Sequence, residues 1–124
     1  MNNNCPLLIV ISSNRNYGWI VPLFLAANSR WADYIIVVDQ MSTDGSREMY
    51  AKYSNVIVVD DKDMAFKENT RARLAFEKGR EIAAGRDAIY FAMDIDEILP
   101  ANWQETKDGQ RILSSKPGDM FGLR

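Results

Sequence analysis

"AIYFAMDIDEIL", Ala88 to Leu99, is the stretch on which the fold turns. An apolar run, Ala88–Met93, meets Asp94, Asp96 and Glu97, and the chain then becomes apolar again. A short, continuous apolar run of this kind predicts a buried strand. Three carboxylates at the end of a buried strand need a physical reason.

Upstream lies the longest helical pattern, Glu68 to Ala84. Ala72, Ala75, Phe76, Gly79, Ile82 and Ala83 fall on one stripe, with Arg71, Arg73, Glu77, Lys78, Arg80 and Glu81 largely off it. Gly85 predicts its stop. "NVIVV", Asn55–Val59, "YIIVV", Tyr34–Val38, and Leu7–Ile11 predict three further strands. Between them, Trp19–Ala27 and Arg47–Tyr53 read as helices, and Ser12–Gly18 and Ser42–Ser46 as turns. Beyond Pro100 a helix over Trp103–Leu113 is expected, although Gly109 argues against regularity. The tail "SSKPGDMFGLR" reads as a loop entering an unfinished strand. Strands alternating with helices predict a three-layer α/β domain with a mainly parallel sheet.

The totals narrow the function. A chain of 124 residues suggests one domain, and 47% apolar residues are ample for a core. A net charge of -2 gives no basic footprint, so no nucleic-acid partner is expected. Histidine is absent, which removes histidine-based metal sites, dyads and triads. The single cysteine, Cys5, can form no internal disulfide, and a reducing, cytoplasmic setting is the default. No stretch approaches the length of a transmembrane span.

In open α/β sheets, ligands bind beyond the carboxyl ends of the strands. The four predicted strands lead there into Ser12, Ser13 and Asn14, into Asp39, into Asp60 and Asp61, and into Asp94 and Asp96. Carboxylates crowded at one edge need an offsetting cation or donors, and a divalent ion is the expected answer. In an extended segment, Asp94 and Asp96 would point the same way and address one Mg²⁺ or Mn²⁺. The plain alternative is a polar turn. Asp39 is either a strand-end cap or a contact to a base edge or ribose. Asp44 shapes the "STDG" turn. Arg71 or Arg73 faces a diphosphate, or both are solvated. Asn14, Arg15 and Asn16 frame a ligand or form an ordinary loop. Trp31 and Trp103 read as packing anchors.

Three segments, "LLIVISSNRN", "YIIVVDQMSTDGSREM" and "AIYFAMDIDEILP", resemble the nucleotide-sugar-binding half of an inverting GT-A glycosyltransferase of the family 2 kind. The resemblance spans nearly residues 7 to 103 and implies a partial Rossmann-like GT-A nucleotide-diphospho-sugar transferase fold. It implies that Asp39 and Asp61 lie near the donor base and that Asp44 holds the loop beside the nucleotide. Asp94 would lie by the ribose and phosphates, and Asp96 would coordinate Mn²⁺ or Mg²⁺ bridging the diphosphate. Ser12, Asn14 and one of Arg71 and Arg73 complete the implied donor site. Glu97 would support a ligand residue or face solvent. The departures are Gln40, where the family usually has a second acid, Met41, where it usually has glycine, and a first loop without the common proline. The distance from the long helix to the D-x-D is also slightly long.

The implied partners are a nucleotide-diphosphate sugar and a glycan, lipid or small-molecule acceptor. Transfer in the cytoplasm or at the cytoplasmic face of a membrane is the resulting expectation. The general base is expected beyond residue 124. A non-catalytic nucleotide-sugar-binding module or truncated remnant is the main alternative. A nucleotidyltransferase would want a glycine-rich basic loop, which is not present. A phosphoacceptor domain fits the motif order less well.

Overall fold

A computed structural model describes residues 6–62 and 68–115. Cys5 and the tail from residue 116 lie outside them. Strand β1 (Leu7–Asn14) leads to α1 (Val21–Asn28), β2 (Tyr34–Asp39), α2 (Ser46–Tyr50), β3 (Val56–Asp60), α3 (Glu68–Ala83) and β4 (Ala88–Ala92). A 3₁₀ turn, Trp103–Glu105, and α4 (Lys107–Leu113) follow. The described strands form one sheet in the order β3-β2-β1-β4, and every pairing is parallel. The architecture is a three-layer α/β sandwich of the general Rossmann-like kind.

The strands are apolar on both faces because both faces are covered. Leu8, Val10, Ile35, Val37 and Phe91 join Val21, Phe24, Leu25 and Tyr50 on one side. Leu7, Ile9, Ile11, Ile36 and Val38 join Ala75 and Ala83 of α3 on the other. Trp31, Phe91 and Trp103 form an edge-on aromatic triangle with ring centres 4.9–5.3 Å apart. The two tryptophans are therefore packing anchors, as expected from sequence.

Three local differences have physical causes. β1 runs three residues past Ile11, because Ser12, Ser13 and Asn14 pair with Val37, Val38 and Asp39. Polarity ends the apolar signal there while the backbone ladder continues. On α3 the buried side carries Ala75, Gly79 and Ala83, whereas Ala72 is exposed and Phe76 meets Tyr90 edge-on at the margin. Arg71, four positions before Ala75, thus belongs to the inward stripe rather than off it. Gly109 is a packing requirement rather than a helix breaker. A Cβ there would lie 1.8 Å from the Trp103 carbonyl oxygen, and the Gly109 N–H donates to Thr106 Oγ1, the cap of α4.

Candidate functional site

The register puts Asn14, Asp39 and Asp60 in one row at the carboxyl edge. Met93 N–H donates to the Ile11 carbonyl, so Asp94 follows at the same edge. Asp39 and Asp96 therefore sit at one end of the sheet. The strand order reverses between β1 and β4, the usual position of a ligand crevice in open α/β sheets.

One edge does not make one cluster. Successive side chains on a strand point to opposite faces, so Asp39 and Asp60 go to the α2 side while Gln40 and Asp61 go to the α3 side. On the α2 side Asp39 is fully buried. Its Oδ1 accepts from the Tyr50 hydroxyl at 2.7 Å. Its Oδ2 accepts from the Ser42 N–H at 3.0 Å and from Arg47 Nη1 at 2.9 Å. Arg47 reaches Asp60 as well, at 2.7 Å. These pairs with Asp60 and then Asp39 raise the guanidinium pKa further. Asn14 Nδ2 donates to the Tyr50 oxygen at 2.5 Å. Burial, outweighing the bond from Asn14, pushes the Tyr50 phenol well above its ordinary range. Arg47 is a cation that offsets the acids here. Asp39 takes the strand-end capping role, with both oxygens engaged.

The loops after β1 and β2 are stitched together. Asn16 N–H donates to Ser42 Oγ at 3.0 Å, Thr43 N–H to Asn16 Oδ1 at 2.7 Å, and Gly18 N–H to Asp44 Oδ2 at 2.7 Å. Asp44 Oδ1 accepts from the backbone and hydroxyl of Ser46, fixing the first turn of α2. The Ser46 hydroxyl, ahead of the backbone donors, holds the Asp44 pKa below the ordinary carboxylate range. A Cβ at Gly18 would lie 2.7 Å from Asp44 Oδ2, so only glycine lets the two loops approach this closely. Asn14 Oδ1 accepts the Tyr17 N–H at 3.0 Å. Asn14 and Asn16 thus frame the loop, while Arg15 is exposed.

On the α3 side, Gln40 links two residues proposed from sequence. Its Nε2 donates to Asp61 Oδ2 at 3.3 Å, and its Oε1 accepts from Arg71 Nη1 at 3.0 Å. An amide can serve both partners, whereas a second carboxylate beside Asp61 could accept from Arg71 but not donate. The two arginines separate cleanly: Arg71 turns to the strand ends, and Arg73 lies out in solvent, 3.9 Å from Glu77.

At the end of β4, Asp94 to Glu97 form a turn rather than an extended segment. The Glu97 N–H donates to the Asp94 carbonyl at 2.9 Å, and the Glu97 carboxylate accepts the Asp94 N–H at 2.8 Å. Glu97 holds the turn, a role sequence spacing did not assign. Ile95 is buried, and the Asp94 and Asp96 side chains are exposed without a hydrogen bond or ion pair among the described residues. Their alignment by strand alternation does not apply inside a turn. Among the described residues, no three acidic, histidine or cysteine side chains gather closely enough to hold a metal. Exposed carboxylates are the kind of oxygen ligand that Mg²⁺ and Mn²⁺ take when phosphate oxygens and water complete the shell. Ser12, on β1 beside this turn's strand, is buried, and its hydroxyl has no partner among the described residues.

Sequence reasoning missed Arg47, Tyr50, Gln40 and Ser42. A usable signal existed for Tyr50, which lies four positions after Ser46 in a short helix and so shares its inward face. Set against known proteins, the chain matches no family model, no curated protein and no solved structure.

Proposed function

We propose that this chain is a Rossmann-like nucleotide-binding module that takes a nucleotide-diphosphate sugar across the carboxyl edge of its sheet. The observation that carries this reading is the contrast in occupancy along that edge. Asp39, Asp44, Asp60 and Asp61 are each engaged by donors of the fold. Asp94 and Asp96 project at the β1–β4 switch point with no partner among the described residues.

In this proposal Asp94 and Asp96 hold a divalent ion against the diphosphate, the Ser12 hydroxyl offers a polar contact, and Arg71 adds positive charge on the α3 side. The bound ion would neutralise charge on the diphosphate. Asp39 acts indirectly, by fixing the two loops that border the ligand. A glycosyltransferase built on this module also needs a general base for the acceptor hydroxyl. The D-x-D resemblance is what supports this second reading; the unpartnered Asp94 and Asp96 serve a binding module equally well.

Calorimetric titration with UDP- and GDP-sugars, with and without Mn²⁺, tests the proposal. Binding that needs Mn²⁺ and falls at least about tenfold, roughly 1.4 kcal/mol, in Asp96→Ala is the expected result. Asp96 is exposed, so the variant is expected to remain folded. Binding that ignores the metal and survives the substitution would overturn the site. A transfer assay on this chain and on a longer version separates module from enzyme.

A further inference from the structure

The outer face of α1 stands apart from the candidate site. Helices on a protein surface normally turn charge outward. The segment "VPLFLAAN" has no charged residue. Its inner side buries Val21, Phe24, Leu25 and Asn28. Its outer side exposes Pro22, Leu23 and Ala26, and the turn entering it exposes Tyr17 and Trp19. Trp19 is 75% exposed and Leu23 55%. The Val21 N–H donates to the Tyr17 carbonyl, so helical geometry already begins at that turn. Trp19, Leu23 and Ala26 follow a helical stripe, and Tyr17 lies 6.4 Å from Trp19 between ring centres.

These aromatics are rigidly presented. The backbone N–H groups of Asn16, Tyr17 and Gly18 are each bonded into the stitched loops. The backbone leading into Trp19 is thereby fixed.

Two arginines bracket this face in sequence, and the Asp44 carboxylate is held at its edge by the Gly18 N–H. Arg15 precedes the face and Arg30 continues the stripe after it. Both are exposed, and neither has an ion pair or hydrogen bond among the described residues. A second copy packed on this face by two-fold symmetry would oppose guanidinium to guanidinium at each end. An anionic lipid surface meets both features: aromatic and aliphatic side chains enter the headgroup boundary, and the two arginines meet phosphates. No helix among the described residues is long and apolar enough to cross a membrane. The contact would therefore be peripheral, with α1 lying in the interface plane.

We propose that the outer face of α1, through Tyr17, Trp19, Pro22, Leu23 and Ala26 flanked by Arg15 and Arg30, docks this protein on anionic membrane surfaces. Trp19 supplies the probe, because Trp103 is buried and Trp31 half-buried. Mixing the protein with phosphatidylglycerol–phosphatidylcholine vesicles should shift tryptophan emission to the blue, and brominated lipid should quench it. Pure phosphatidylcholine should bind more weakly. Each of Arg15→Gln and Arg30→Gln should lower partitioning about fivefold at low salt, from about 1 kcal/mol per arginine. Leu23→Asp should abolish binding, with circular dichroism checking the fold. Trp19→Ser, at a largely exposed position, should weaken co-sedimentation even if Leu23→Asp fails to fold. No emission shift and no co-sedimentation on anionic vesicles would overturn the proposal. So would a concentration-dependent dimer in sedimentation that Trp19→Ser dissociates, because the face would then belong to a second copy.

Discussion

The β2 and β4 ends of the sheet lie on one edge and carry the same residue type in opposite states. At β2, Asp39 is buried and accepts from a hydroxyl, a backbone N–H and a guanidinium. At β4, Asp94 and Asp96 face solvent from a turn held by Glu97. A strand-end aspartate is therefore not one kind of object. The first is part of what makes the edge, and the second makes no side-chain contact among the described residues. Local sequence hides this difference, because the partners of Asp39 come from α2 and its entry loop. The corresponding stretch after β4 brings only Glu97 back to its own turn.

The largest expected effect separates the two ends directly. Asp39→Ala leaves a buried hydroxyl, the Ser42 N–H and one guanidinium contact without their acceptor. It should lower stability by about 3 kcal/mol, at the low end for a broken buried pair because Arg47 is partly solvated and keeps Asp60. Asp94→Asn and Asp96→Asn should each change stability by less than about 0.5 kcal/mol, as surface substitutions do. Urea denaturation of the three variants checks this. Equal losses at both ends would erase the distinction between structural and available carboxylates.

A smaller effect probes the buried cluster through pH. The Tyr50 phenol is held above its ordinary pKa, first by burial. The folded protein therefore keeps a proton that the unfolded chain releases near pH 10. The stability this group contributes is intact below that pH and is lost as pH rises above it. Tyr50→Phe should flatten this alkaline decline while lowering stability at neutral pH by about 1–2 kcal/mol, because Asp39 Oδ1 loses its donor. Denaturation midpoints between pH 8 and 11 measure both. An alkaline slope unchanged in Tyr50→Phe would assign the decline to other groups.

Much of the fold was legible because each strand is built on an apolar run and α3 is long enough to declare itself a helix, though not to show its exact phase. The extension of β1 through Ser12–Asn14 was not, since backbone pairing with β2 leaves no mark on side-chain polarity. The site was legible by position, with Asp39, Asp61, Arg71, Asp94 and Asp96 all brought to one edge. Its division was not. That division depends on which of two successive residues, Asp39 or Gln40, Asp60 or Asp61, points to which face, and on helices bringing Arg47 and Arg71 to opposite sides. Arg73 illustrates the limit, because only the seating of α3 distinguishes it from Arg71.

The smallest expected effect concerns the loop that follows β2. Met41 adopts a φ of 54°, in the left-handed region, and the residue is 52% exposed. For a residue with a Cβ this conformation costs about 1 kcal/mol, a cost glycine does not carry. The backbone thus makes a glycine-like turn at a residue that carries a side chain. Little packing is lost when an exposed methionine is removed, but glycine adds entropy to the unfolded chain. Met41→Gly should therefore raise stability by no more than about 1 kcal/mol, visible as a small upward shift in the urea midpoint. If the Met41 side chain instead steadies the stitched loops, the substitution lowers the midpoint and speeds amide exchange at Ser42 and Thr43. The β2 end would then depend on an exposed side chain as well as on its buried network.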